Sequence, residues 1–313
     1  MTRRISTRGM TREEWLEIRR HSIGGSDAGI ILGFNEYRSP FSLWAEKTGK
    51  VIPEDISDKE SVRLGRDLEE YVSERFTEAT GLQLRNNSYI LYNDQFPFAH
   101  ANIDRQLVGK KEGFEAKTTG SFDILHKCQA GDFPALWYAQ IMHYLMITGF
   151  ERWYLGVLCL GRGFYYFTIE RSEDEIAALA KAEAEFWHYV ESNEAPPVDG
   201  SFSTAETISA LYPDSEESEI KDLSPISDHL EMYSQLSRQI KSLERSQEEE
   251  KNAIKAFMEG SRYGTTDRFK VDNRIQSGRR SLDLKAYEAD NGIIPDNYFK
   301  TGKEYRVLTI KEI

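Results

Sequence analysis

The order of helix-like and strand-like segments predicts a mixed α/β fold: one mixed sheet flanked by helices, followed by a long C-terminal helix with a small β extension. Three observations carry this. Apolar residues recur at helical spacing in 61–80 and again in 134–149. Between those helices lie three short strand-like stretches, at 88–94, 99–108 and 113–118, the first of them apolar and aromatic-rich. Two more strand-like stretches, 152–160 and 163–170, meet at Leu160-Gly-Arg-Gly163 and lead into a helix at 172–192. The resulting order, helix–strand–strand–strand–helix–strand, needs a sheet with helices on both faces.

Each element has a local reason. Thr11-Arg-Glu-Glu14 is a capping box, so a helix starts there and runs to Arg20. A second, short helix is expected at 26–32, entered through Gly24-Gly25. Ser26 then stands at a helix N-terminus, where free N–H groups favour an anion; the same serine is equally an ordinary N-cap. The helix at 61–80 carries Leu64, Leu68, Tyr71, Val72 and Phe76 on one face, with Glu69 at its flank. That placement suits a carboxylate pointing into a cleft, or an edge-of-core glutamate paired with Arg66 or Arg75.

Asp104 ends the run Ala101-Asn-Ile-Asp104, Lys110-Lys-Glu-Gly113 makes a turn, and Phe114-Glu-Ala-Lys117 follows as a strand. Residues i and i+2 of a strand share a face, so Glu115 and Lys117 point together and Ala116 points away. Two carboxylates at close range form a hard oxygen site for Mg²⁺ or Mn²⁺. The adjacent lysine can place charge or a proton on an attacking water. A solvated hairpin with a Glu–Lys pair uses the same residues. The helix at 134–149 sets Leu136, Ile141, Tyr144, Leu145 and Ile147 on the sheet.

Beyond these elements, residues 201–226 read as a linker rich in Ser, Glu, Asp and Pro. From 227 to 258 a long helix carries Tyr233, Leu236, Ile240, Leu243, Ile254 and Phe257 at 4-3 spacing, broken by Gln247 and Glu250. Alternation at 269–276 and 305–310 suggests two further strands. The domain division is therefore 1–200, a linker at 201–226, and an extension at 227–313.

At 313 residues with 39% hydrophobic content, the chain can bury a full core. Cys128 and Cys159 have neither metal-ligand spacing nor a disulfide framework and are expected as reduced core residues of a cytoplasmic protein. No apolar run follows the N-terminal Met-Thr-Arg-Arg, so no signal peptide is expected, and no stretch approaches a membrane span. The net charge of −12 disfavours a nucleic-acid partner unless basic charge is segregated. It is: acidic residues crowd 173–194 and 214–222, while Arg3, Arg4, Arg8, Arg12, Arg19, Arg20, Arg63, Arg66, Lys110 and Lys111 lie near the motifs. A basic channel in an acidic protein can still focus phosphate.

Five blocks stand in order: Arg19-Arg-His-Ser-Ile-Gly-Gly-Ser26-Asp-Ala-Gly, Ser39-Pro-Phe-Ser-Leu-Trp-Ala-Glu-Lys-Thr-Gly49, Gly65-Arg-Asp-Leu-Glu69, Asp104 with Glu115-Ala-Lys117, and Trp137-Tyr-Ala-Gln140. In order and spacing they resemble the YqaJ-type viral recombinases, the phage lambda exonuclease family of the restriction-endonuclease-like, PD-(D/E)XK nuclease superfamily. The resemblance covers about residues 19–167 and implies that superfamily's fold. It implies that Asp104, Glu115 and the carbonyl of Ala116 hold metal and that Glu69 completes the site. Two Mg²⁺ ions are implied per site, with Mn²⁺ able to substitute. Lys117 matches the catalytic lysine, Gln140 the glutamine that supports it, and Arg19 and Ser26 the residues that hold a 5′-phosphate. Asn102 stands where the family usually has a serine, and with Arg66 is a candidate DNA contact; Met142 stands where a second glutamine is common.

The implied activity is 5′→3′ digestion of double-stranded DNA ends in a bacterial host cell. It would leave a 3′ single strand for phage-type recombination with a single-strand annealing protein, and the implied assembly is a homotrimer. The rival readings are a non-processive endonuclease of the same superfamily and a DNA-binding assembly subunit.

Overall fold

The structure is a computed structural model that describes residues 2–214 and 220–278, and beyond these residues 281, 283–295, 298–300, 302, 308 and 310. It divides into two units, Met1–Pro213 and Asp214–Ile313.

The first unit opens with strand β1 (Thr2–Ser6) and helices α1 (Arg12–Arg20), α2 (Gly25–Ile31), α3 (Pro40–Lys47) and α4 (Glu60–Thr80). Thr11 and Glu14 make the expected capping box on α1. Ser39 caps α3, with Pro40 at its first position, where a missing N–H costs nothing. Gly81, at φ 73°, ends α4 in the left-handed conformation that glycine adopts without strain.

Strands β2 (Leu84–Asn86), β3 (Tyr89–Asn93), β4 (His100–Asn102), β5 (Arg105–Leu107) and β6 (Glu112–Thr119) follow. Then come helices α5 (Phe122–Gln129) and α6 (Ala135–Thr148), strands β7 (Arg152–Cys159) and β8 (Gly163–Glu170), and helices α7 (Glu173–Ser192) and α8 (Phe202–Leu211). A five-stranded sheet runs β2-β5-β6-β7-β8, with β6 and β7 parallel and the other pairs antiparallel. A second sheet runs β1-β3-β4.

The strand expected at 99–108 is two strands in different sheets. Its first half, β4, pairs with β3, and its second half, β5, pairs with β2 and β6. The chain changes sheets at Ile103-Asp104. Asp104 is thereby released from both ladders and turns its carboxylate onto the backbone N–H of Ala116, at 3.1 Å.

The two faces of the larger sheet are covered by different helices. Val72 and Phe76 of α4 bury against Leu107, Phe114 and Tyr154. On the other side α6 is buried without interruption from Ala139 to Ile147, because β3, β4 and β7 lie against it and α2 and α7 cover its back. Helix α2 comes so close that a Cβ on Gly25 would stand 2.4 Å from the Tyr144 ring, and one on Gly29 2.3 Å from Leu136. The glycines at i and i+4 of α2 are thus the close-approach face of a helix pair. Leu136, expected on the sheet, meets α2 instead.

The segment expected as a linker contains α8, which packs on α3: Thr204 Oγ1 donates to Ser39 Oγ at 2.8 Å. Cys128 and Cys159 are free, buried thiols.

The second unit has the long helix α9 (Ser227–Met258), a hairpin of β9 (Tyr263–Thr265) and β10 (Lys270–Asp272), and α10 (Leu284–Asn291). The apolar residues Tyr233, Leu236, Ile240, Leu243, Ile254 and Phe257 are exposed along α9. Most of the strand expected at 305–310 lies outside the described residues. Among those residues no helix is long and apolar enough to cross a membrane.

Candidate active site

Strand β6 sends Phe114 and Ala116 toward α4 and Glu115 and Lys117 toward α6, as period-two alternation requires. On α6, Gln140 meets the latter pair. Lys117 Nζ donates to Glu115 Oε1 at 2.7 Å and to Gln140 Oε1 at 2.9 Å. Gln140 Nε2 donates to Glu115 Oε1 at 2.9 Å and to the Tyr144 hydroxyl at 2.8 Å. Three side chains from a strand and a facing helix therefore close one hydrogen-bonded triangle.

Glu115 is 3% exposed, and its other oxygen, Oε2, is buried without a hydrogen-bond partner. Burial, and next the negative charge of Asp104, push its carboxyl up to about 8. A buried carboxylate oxygen with no donor beside a second carboxylate calls for a proton or a cation. Asp104, Glu115 and the nearby backbone of Ala116 are an all-oxygen donor set of the kind that suits Mg²⁺ or Mn²⁺.

Glu69 is not gathered into this cluster. Its carboxylate faces Arg105, whose Nη2 lies 3.5 Å from Glu69 Oε1 and 2.9 Å from Glu70 Oε2. Burial, then the charge of Asp104, raise the Glu69 pKa. Among the described residues no three acidic, histidine or cysteine side chains converge tightly enough to cage an ion. Arg66 and Arg75, the partners that helical spacing offers Glu69, are engaged elsewhere, Arg66 with Asp67 at 3.8 Å and Arg75 with Glu78 at 2.8 Å. Nothing in the sequence marks Arg105 as the partner of Glu69, because a residue 36 positions away leaves no periodic trace.

Arg19 and Ser26 also come together. Arg19 Nη2 donates to Ser26 Oγ at 3.0 Å, and the guanidinium lies over the Trp15 ring, 4.5 Å from its centre. Ser26 is the second residue of α2, whose N-cap is Gly24, not Ser26. Asn102 ends β4, half-buried, and Arg66 is exposed on α4.

A family model described as the YqaJ-like viral recombinase domain matches residues 14–151. "Uncharacterized protein YqaJ" of Bacillus subtilis (strain 168) is 35% identical over 316 residues, covering 97% of this chain and 95% of that protein. Among solved structures, LHK-Exo in complex with dAMP gives a TM-score of 0.50 at 15% identity, over 58% of this chain and 94% of that one. A second structure, the alkaline exonuclease LHK-Exo from Laribacter hongkongensis, gives 0.49 at 14% identity over the same shares. At this identity the likeness is one of fold.

Proposed function

This chain belongs to the YqaJ-like viral recombinase family, and from that membership and the Glu115–Lys117–Gln140 triangle we propose a metal-dependent 5′→3′ exonuclease acting on double-stranded DNA ends. Its product is a 3′ single strand for phage-type homologous recombination. The observation that carries this reading is the buried Oε2 of Glu115, left without a donor beside Asp104.

Asp104, Glu115 and the carbonyl of Ala116 would hold Mg²⁺, with Glu69 completing the set after leaving Arg105. When bound, the ion supplies Lewis-acid polarisation of the scissile phosphate and stabilises the leaving 3′ oxygen. Lys117 Nζ, fixed between Glu115 and Gln140, orients the attacking water or takes its proton. Gln140 holds Lys117 and Glu115 at once, so the lysine and the carboxylate stay in register. Arg19 and Ser26 receive the terminal 5′-phosphate, Arg19 as an always-charged fork and Ser26 as a hydroxyl donor.

The deciding assay uses end-labelled linear duplex with Mg²⁺, comparing 5′-phosphate with 5′-hydroxyl ends. Progressive release from the 5′ end supports the proposal. Internal cuts at matched rates on circular and linear DNA establish the endonuclease instead.

Glu115 also makes stability depend on pH. A carboxyl raised in the fold holds its proton between the ordinary value of 4.5 and about 8, where the unfolded chain has lost it. Stability is then greatest below 4.5 and falls as pH rises toward 8. In chelator, the Tm should drop by several degrees across that window. Glu115→Gln should flatten the drop, and added Mg²⁺ should offset it, because the ion binds the ionised form.

The proposed assembly is a ring of three that stays on DNA without base contacts and works with a single-strand annealing protein. Light scattering at micromolar concentration should give three times the monomer mass. A monomer that digests processively would remove the ring from the proposal.

A further inference from the structure

Arg19 and Ser26 lie on either side of a short turn, and that turn is held from beneath by a buried ion pair that the chemistry above does not use. Lys47, the last residue of α3, sends its ammonium under the end of α1. Its Nζ lies 2.7 Å from Asp27 Oδ2, 2.6 Å from the carbonyl of Arg19 and 2.8 Å from the carbonyl of Ser22. The two side chains are 7% and 5% exposed.

An ammonium has three N–H donors, and here all three are spent. Asp27 Oδ2 accepts in addition the N–H of Gly24 at 3.0 Å. The Ser22 hydroxyl is bonded to His100 Nδ1 at 2.8 Å. Residues 19, 22 and 27 are thus tied by side chains that reach in from α3 and β4, and residue 24 by Asp27 itself. Helix ends leave carbonyls without partners, and water or a nearby hydroxyl would serve them. A buried charge pair is a costly way to do so and adds little net stability over apolar residues of the same size. What it does supply is a fixed geometry. One atom, Lys47 Nζ, grips the backbone of Arg19 and the side chain of the residue after Ser26.

We propose that Lys47, through Asp27, is a positioning residue for the 5′ end: it sets the spacing between the Arg19 guanidinium and the Ser26 hydroxyl, and so the place where a terminal phosphate is held. This inference rests on the 5′-phosphate reading of Arg19 and Ser26. It also gives a physical task to Asp27 and to the block Trp44-Ala-Glu-Lys47, which otherwise carry no chemistry.

The test measures kcat/KM on 5′-phosphorylated and 5′-hydroxyl duplexes for the full chain, for Arg19→Ala and for Lys47→Met, which keeps the stem and removes the three donors. A displacement of about 1 Å in a positioning group costs up to about 100-fold, so Lys47→Met should cut the preference for 5′-phosphate by about tenfold or more. A merely structural lysine would slow both ends alike and leave the ratio unchanged. If Arg19→Ala erases the preference and Lys47→Met keeps it, the positioning role is overturned and the pocket stands. If Arg19→Ala affects both ends equally, the pocket itself fails and the inference with it. Should Lys47→Met not fold, Asp27→Asn decides, since it keeps size while removing the charge that pairs with Lys47 and turning one acceptor oxygen into a donor. The ratio must fall in that variant too, and an unchanged ratio overturns the proposal.

Discussion

Lys117→Ala is expected to lower cleavage of linear duplex by at least about 10²–10³-fold, the order seen when a group that stabilises developing charge is removed. DNA binding should survive. The side chain is 22% exposed and lies at the edge of the buried core. What its loss takes away is the ammonium that touches both Glu115 and Gln140. Asp104→Ala and Glu115→Ala should abolish cleavage as well, but by a different route, loss of a direct ligand. Calorimetry with Mn²⁺ separates the two routes. The carboxylate variants should lose the ion. Lys117→Ala should still bind it, though with the pH dependence moved to higher pH, because Lys117 opposes the upward shift of Glu115. Turnover near the wild-type value in purified Lys117→Ala protein would remove the lysine from the chemistry.

That triangle was legible because two of its members obey a local rule. Glu115 and Lys117 are two apart on a strand and must share a face. Gln140 could be named only by resemblance, since nothing in its neighbourhood says which strand α6 will lie against. Asp104 shows the opposite case. Its stretch alternates smoothly enough to read as one strand, yet the chain changes sheets there, and only the paired partners reveal it. Arg105 illustrates the same limit in electrostatics. It follows Asp104 directly in the chain, but its partners lie on α4, so the orientation of Glu69 could not be read from spacing. Gly25 was visible as part of a helix entrance but not as a packing position, because the ring that needs its missing Cβ belongs to Tyr144 on α6; Gly29, which meets Leu136, gave no sign at all. Helix α8 lay hidden in a polar, low-periodicity run and is set by hydrogen bonds to α3 rather than by an apolar stripe.

The largest effect on stability is expected at Glu183. It lies on α7, is fully buried, and pairs with the equally buried His143 on α6, Nδ1 to Oε1 at 2.7 Å. The second ring nitrogen of His143 donates to the carbonyl of His100 at 2.8 Å. Both ring nitrogens face acceptors, which is the pattern of a charged imidazolium. Although burial pulls the His143 pKa down, the charge of Glu183 and the two acceptors leave it raised overall. Glu183→Ala strips the counter-charge from an imidazolium with no route to water. Breaking a buried pair in this way costs about 3–5 kcal/mol, a large part of the stability of an ordinary domain. The cost should show as a fall of several degrees or more in Tm. Replacing both partners with apolar residues, His143→Phe with Glu183→Leu, should recover much of it, because no charge is then left stranded. The sign with pH is also fixed. A histidine raised by its partner stabilises below its ordinary value of 6.5, and that contribution fades as pH climbs through the raised one. The Tm gap between the wild type and Glu183→Ala should therefore narrow toward alkaline pH. Cleavage should fall with the fold, since His143 lies one turn beyond Gln140 on α6 and anchors the helix that presents it to Lys117. A Glu183→Ala protein as stable as the wild type at pH 6 would show that the pair is neutral and that α6 is held by its apolar faces alone.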